Sequence, residues 1–259
     1  MGWVLITGAS EGLGREFAQL AAADGHMLIL SARRTELLEA VAADLSGRFG
    51  VEALVLPADL SVEGEAEKLW ARAVAGGREI SILVNNAGLA AGGGFADPAL
   101  WAREYASVMV NVLSATVLMK AAAVEMAQRG QGRILNVASA AAFMPGPGMA
   151  VYHATKAYLL SLSEAAAAEL APAGVTVTAL CPGATRTDFF RAGGFADETL
   201  IQRLPMPTAQ SVAAAGWTAM KRGRRITVTG IDNRIFAFLP RLVPRRLVTF
   251  VAGQFLRRR

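Results

Sequence analysis

Seven short apolar runs, separated by longer stretches of helical periodicity, set the tightest limit on how this chain folds. The runs are WVLIT (3–7), MLILSA (27–32), EALVLPA (52–58), ISILVN (80–85), RILNVAS (133–139), VTVTALC (175–181) and RITVTG (225–230). Each has the length of a strand, and most are apolar throughout, as strands covered on both faces are. Between them, segments such as 35–49 put Leu37, Leu38, Val41 and Leu45 on one helical face. Strands alternating with helices build βαβ units with right-handed crossovers, which predicts an α/β fold with a doubly wound parallel sheet of about seven strands. The sequence has no internal repeat and no linker rich in Ser, Pro or charge, so a single domain over 1–259 is expected.

Composition removes several function classes. A chain with 53% hydrophobic and 18% charged residues is not disordered. One cysteine, Cys181, cannot form a disulfide framework or a cysteine-based zinc site, and two histidines, His26 and His153, predict no metal centre. The N-terminal apolar run meets glycine too early for a signal peptide, so a reducing, cytoplasmic setting is the default expectation. The formal net charge of +5 is uneven. From Lys221 onward there are eleven basic residues and one acid, Asp232, whereas residues 1–220 carry fifteen basic and twenty acidic ones. The excess of positive charge therefore belongs to the C-terminal segment. With the rest acidic and no recognition motif, nucleic-acid binding is not expected.

The first run passes directly into Thr7-Gly8-Ala9-Ser10-Glu11-Gly12-Leu13-Gly14 and then a helical pattern. Glycines at 8, 12 and 14 allow a tight turn and let backbone N–H groups of residues such as Ser10 and Leu13 approach a pyrophosphate at a helix N-terminus. The first strand-to-helix junction is where a dinucleotide-binding loop belongs. The second run ends Ser31-Ala32-Arg33-Arg34 without an acid. An acid there would hold the ribose hydroxyls of NAD, whereas Arg33, helped by Arg34, can pair with the 2′-phosphate of NADP; both arginines could instead be solvated residues at a helix start. After the third run, Asp59 and Leu60 are candidates for the adenine edge, although an Asp here can equally belong to the turn before a helix over 61–75.

Tyr152 and Lys156 stand four apart in a helical segment over 151–171 and so share one face. A phenol is a poor acid–base catalyst at neutral pH. A lysine ammonium ~4 Å away contributes roughly 4 kcal/mol at an effective dielectric of ~20, enough to lower the phenol's pKa by about three. Ser139 ends the fifth run and Asn86-Ala87-Gly88 follows the fourth, both at strand carboxyl ends, where open parallel sheets bind ligands. Asn111 lies in an otherwise apolar helical segment. There it either bonds backbone groups or holds a water relaying protons to Lys156.

TGASEGLG, NNAG at 85–88, Asn111, Ser139, YHATK at 152–156 and PGATRT at 182–187 occur in order along residues 3–187. Together they resemble the motif set of the short-chain dehydrogenases/reductases, and the resemblance implies a Rossmann-type oxidoreductase that interconverts a ketone and a secondary alcohol. It implies Tyr152 as acid/base, Lys156 as the group that lowers its pKa and holds the nicotinamide ribose, and Ser139 as the residue that positions the carbonyl. Asn111 would complete a proton relay, and Pro182, Gly183 and Thr187 would cradle the nicotinamide. One position departs from the pattern: NADP-preferring relatives often carry a basic residue just before the second loop glycine, and here it is Glu11. NADP(H) is favoured over NAD(H) mainly on Arg33. The alternatives are an NAD-linked alcohol dehydrogenase working in oxidation, or a nucleotide-binding regulatory protein without turnover. The resemblance also implies a homodimer or homotetramer built on the two long helices near 100–129 and 151–171.

Residues 183–210 read as a lid over the site, with Phe189, Phe190, Phe195, Leu204 and Met206 either lining an apolar pocket for an aromatic or aliphatic ketone or packing the lid onto the core. Cys181 reads as a small core residue, and His26 and His153 as non-catalytic. The basic tail over 231–259 contains Pro240, Pro244 and arginines that forbid a membrane-spanning helix of about 20 apolar residues. A helix starting near Pro244 would be amphipathic. It could lie on an anionic membrane, cover the active-site edge, meet another subunit or attract an acidic carrier.

Overall fold

In the computed structural model, which describes residues 2–186 and 206–256, the apolar runs become β1 (Trp3–Thr7), β2 (Met27–Ser31), β3 (Ala53–Val55), β4 (Ile80–Asn85), β5 (Gly132–Val137), β6 (Val175–Cys181) and β7 (Ile226–Val228). They form one parallel sheet in the order β3-β2-β1-β4-β5-β6-β7, the doubly wound topology expected. The edge strands β3 and β7 are shorter than their apolar runs because each has a pairing neighbour on one side only.

Both sheet faces are covered, which explains why the central strands are apolar at most positions on both sides. Val4 and Ile6 of β1 enter a core with Phe17 and Ala18 of α1 (Gly12–Ala23), Leu38 and Val41 of α2 (Thr35–Phe49), and Trp217 and Met220 of α7 (Ala209–Lys221). Trp3 and Leu5 point the other way. They meet Leu69 and Trp70 of α3 (Glu65–Val74), Leu118 and Met126 of α5 (Ala115–Arg129), and Ala167 of α6 (Ala150–Leu170). Asp24, just after α1, receives hydrogen bonds from Trp217 Nε1 (2.9 Å) and Lys221 Nζ (2.7 Å), which tie the first helix to α7.

Two helix starts differ from the sequence reading. Helix α3 begins at Glu65 rather than near 61, because Asp59 closes a turn by accepting from Ser61 N (3.0 Å) and Ser61 Oγ (2.7 Å). Helix α7 begins inside the predicted lid, capped by Thr208 Oγ1, which accepts from Ser211 N at 3.2 Å. Of the predicted lid, Phe189, Phe190, Phe195 and Leu204 lie outside the described residues, as does Thr187.

The long helical rod from Pro98 to Arg129 contains α4 (Trp101–Val108), a π-helical segment (Met109–Ser114) and α5. Among the described residues it alone has the length and apolar character to cross a membrane, but its Leu118, Met119, Ala122 and Met126 are buried against the sheet. Beyond β7 the basic tail folds as α8 (Ile231–Phe238) and α9 (Arg245–Leu256).

The strand order reverses between β1 and its neighbour β4, so a crevice opens at their carboxyl ends. The glycine-rich loop follows β1 and Asn86–Gly88 follows β4, so topology alone brings the two motifs together.

Candidate active site

The loop after β1 turns on Gly8 (φ 64°) and Gly12 (φ 53°), a left-handed backbone that side chains disfavour. Gly14 is glycine for a different reason. A Cβ there would strike the Gly8 carbonyl oxygen and approach Asn86 Nδ2 at 2.7 Å, so the helix could not pack against its own loop. Asn86 Nδ2 donates to Thr7 O (2.9 Å) and Gly8 O (3.1 Å), while Thr7 Oγ1 accepts from the N–H groups of Asn86 and Ala87, both at 3.0 Å. Asn86 is therefore the strut that fixes the glycine loop, a role the motif spacing did not disclose.

Glu11, which departs from the NADP-type pattern, forms an ion pair with Arg34 at 2.8 Å. The pair is half-exposed, so its net stabilisation is small, but it draws Arg34 back across the loop. Arg33 is exposed and lines the crevice. Asp59 also lines it, yet one carboxylate oxygen is committed to the Ser61 turn. Burial raises the Asp59 pKa, but the Ser61 hydrogen bonds and the Arg33 charge outweigh it and leave the carboxyl below its usual range. Leu60 is buried beside Asp59, and its carbonyl accepts from Ser114 Oγ at 2.7 Å.

Ser139 stands just beyond β5, where its Oγ accepts from Ala141 N at 3.1 Å and so caps a short 3-10 turn (Ala140–Phe143). Its side chain also hydrogen-bonds Tyr152, which projects with Lys156 from one face of α6. Both α6 side chains are buried. Lys156 Nζ donates to Val137 O at 2.8 Å and lies 5.8 Å from the centre of the Tyr152 ring.

This geometry corrects one expectation. Burial pushes the Tyr152 phenol up to about 12, with the Ser139 hydrogen bond pulling weakly the other way, and burial brings Lys156 down to about 8. The ammonium is held against a backbone carbonyl rather than at the phenol oxygen. The protein alone therefore does not make this tyrosine acidic. It keeps it protonated.

Asn111 sits in the π-helical segment, where the widened turn aims its amide at the chain following β4. Its Oδ1 accepts from Leu89 N (2.9 Å), and its Nδ2 is shared among Leu89 O (2.8 Å), Ser107 Oγ (3.0 Å) and Thr155 Oγ1 (3.0 Å). Two of these contacts are to the backbone of Leu89 and two to the hydroxyls of Ser107 and Thr155. Asn111 clamps the segment after Gly88 to α6. A Cβ on Gly88 would lie 3.3 Å from Lys156 Nζ and 3.4 Å from Asn111 Oδ1, so glycine leaves that corner open.

The crevice continues as a cavity of about 710 Å³ running from Gly8, Gly12 and Arg33 past Gly88 to Ser139, Tyr152, Lys156, Pro182 and Gly183. Its length joins a phosphate loop to a hydroxyl-bearing end, and the buried Ser31 hydroxyl on its wall has no hydrogen-bond partner among the described residues. An extended dinucleotide with anionic phosphates at the glycine loop fits this lining. His153 faces the neighbouring loop, its Nδ1 donating to Met144 O at 2.8 Å, and burial lowers its pKa. Cys181 is a buried thiol that burial raises to about 12, so it is not a nucleophile. Among the described residues no three metal-ligating side chains cluster.

Sequence reasoning missed most of the outer wall. Met144 and Met149 come from the segment between β5 and α6, while Phe236, Leu239, Leu247, Val248, Val251 and Ala252 come from the tail. Of the settings open to that tail, the described part covers the active-site edge. Its only sequence signal was the amphipathic pattern after Pro244, which does not identify what the apolar face meets.

A family model described as short chain dehydrogenase matches residues 2–194. Among curated proteins, a very-long-chain 3-oxoacyl-CoA reductase of Phaeosphaeria nodorum is 34% identical over 182 residues, covering 68% of this chain and 52% of that protein. The chain thus aligns with about half the length of such reductases. Among solved structures, a short-chain dehydrogenase from Sphingobium yanoikuyae in complex with NADPH superposes with a TM-score of 0.83 at 34% identity, covering 93% of each chain. The bulky-bulky ketone specific alcohol dehydrogenase from Comamonas testosteroni gives 0.78 at 30% identity, over 93% of this chain and 92% of that one.

Proposed function

The chain belongs to the short-chain dehydrogenase family, oxidoreductases of alcohol and ketone chemistry, and from that premise we propose that it reduces a bulky hydrophobic ketone to a secondary alcohol with NADPH. The observation that carries this reading is the pairing of Ser139 with a buried, protonated Tyr152 at the end of the cavity that begins at the glycine loop. Burial holds this phenol at about 12, so it is protonated at neutral pH and can donate a hydrogen bond to a carbonyl oxygen.

When bound, the reduced nicotinamide supplies the hydride. Ser139 and Tyr152 donate hydrogen bonds to the substrate oxygen and so stabilise the negative charge that grows there. Tyr152 then gives up its proton. Lys156, buried on the same helix face and donating to Val137 O, would hold the nicotinamide ribose when the cofactor is bound. Asn111 holds the segment after Gly88 and keeps that corner of the cavity in shape.

Arg33 supports NADP(H) over NAD(H): exposed at the crevice rim, it can form a charge-assisted pair with a 2′-phosphate, while Arg34 is engaged by Glu11. The NADPH complex of the Sphingobium relative supports the same choice. Met144, Met149, Met206, Phe236 and Val248 make an apolar outer wall, suited to a bulky ketone of the kind named for the Comamonas enzyme. A homo-oligomer through the helical rod and α6 is supported by exposed Trp101, Tyr105, Leu113, Val124 and Tyr158 on their outer faces. A cytoplasmic setting accords with a single, unpaired cysteine.

The test is loss of NADPH fluorescence with a panel of ketones of increasing bulk. Tyr152→Phe should lower turnover by roughly 10²–10⁴-fold while NADPH binding persists. Undiminished turnover in that variant, or no oxidation of NADPH by any ketone, would remove the proposal.

A further inference from the structure

Helices α8 and α9 have two faces. The inner face closes the cavity, with Ala237, Val248 and Ala252 buried. The outer face and the turn that joins the two helices expose large apolar side chains: Ile231 is 74% exposed, Leu242 67%, Phe250 64% and Phe238 55%. Scattered surface apolar residues need no explanation, but this many large ones within one short stretch of chain mark an interaction surface. Leu239, Leu247 and Val251 belong to both faces, being exposed while also lining the cavity. The cavity mouth therefore opens onto the apolar platform itself.

The charge around the platform selects its occupant. Arg234, Arg241, Arg245 and Arg246 are all exposed, and Asp232 is the one acid from residue 222 onward. Docking a second copy face to face would set these arginines against their own duplicates. An anionic bilayer offers the complement to both features, with acyl chains for the aromatic and aliphatic side chains and headgroups for the guanidinium groups. Prolines 240 and 244 separate the two helices into short amphipathic pieces, which lie along an interface and do not cross it.

We propose that α8 and α9 dock this protein peripherally on an anionic membrane, with the mouth of its cavity facing the lipid. Docking does not depend on the reaction. The consequence that a membrane-dissolved ketone enters the cavity directly rests on the proposed carbonyl reduction.

The test is sedimentation of the full chain with vesicles of phosphatidylcholine, with and without phosphatidylserine. Binding should be at least about tenfold stronger to the anionic vesicles and should weaken with salt. Leu242→Asp/Phe250→Asp, at two positions outside the cavity lining, should abolish pelleting while turnover of a water-soluble ketone stays unchanged. Circular dichroism and thermal melting confirm that the variant is folded, and Arg245→Gln/Arg246→Gln provides a second variant that keeps the apolar face. Failure to pellet with anionic vesicles overturns the proposal. So does a drop in oligomer size on Leu242→Asp/Phe250→Asp without any vesicle binding, which would make the face a subunit contact. Because the ketone assay is run separately, loss of docking and loss of the proposed reaction are read independently.

Discussion

Lys156 is a group whose burial should cost stability, and the cost can be read against pH. Its pKa falls from the usual 10.5 in the unfolded chain to about 8 in the folded protein, with burial the main cause. A depressed folded value means the unfolded chain binds the proton more tightly, so the contribution is harmless above 10.5 and destabilising below about 8. At pH 7 the difference amounts to about 3 kcal/mol, and by pH 10 it has shrunk to below about 1 kcal/mol. Lys156→Met removes the titration and keeps the length of the side chain. Urea unfolding of the cofactor-free wild type and variant, followed by fluorescence of the buried Trp3, Trp70 and Trp217, would give both stabilities at each pH. Constant differences in packing cancel when the two curves are subtracted. The wild type should gain about 2–3 kcal/mol on the variant between pH 7 and pH 10, with the difference level below pH 7. Tyr152, raised from 10.0 to about 12, and Cys181, raised from 9.0 to about 12, lose stability at the alkaline end in wild type and variant alike and cancel in the subtraction. A difference that stays flat across the window, or that runs the other way, would mean that Lys156 is not desolvated in the folded chain.

Two further substitutions probe the crevice. Arg33→Ala should weaken NADPH binding about 10- to 100-fold, the worth of one charge-assisted pair, and leave NADH binding unchanged; fluorescence titration of both cofactors checks it, and equal losses for the two would remove Arg33 from coenzyme choice. Gly14→Ala should destabilise the protein by about 1–3 kcal/mol and abolish cofactor binding, since the new Cβ meets backbone that cannot yield easily. Cofactor binding by the alanine variant at wild-type strength would show that the loop relaxes around the methyl group.

Much of the site was legible because its motifs sit where strand ends must converge. Thr7–Gly14, Asn86–Gly88 and Ser139 all follow strands whose parallel order brings their carboxyl ends to one edge. The four-residue spacing of Tyr152 and Lys156 needs only a helix to align them. What could not be read were quantities set by surroundings. The pKa of Tyr152 depends on burial and on where the lysine hydrogen actually goes, and Val137 O takes it. The Glu11–Arg34 pair joins residues from two strand ends that spacing does not relate.

By itself, then, the sequence determined the class of sheet, the glycine loop and which hydroxyls stand at the strand and helix ends that line the cavity, because short-range periodicity and strand-end position are local properties. Tertiary structure alone decided that Asn111 bonds Leu89 from a π-helical turn, and that a basic amphipathic tail closes the cavity. An amphipathic pattern states that one face must leave water. Which surface receives that face depends on distant parts of the chain, and here they are the loops beyond β5 and β6.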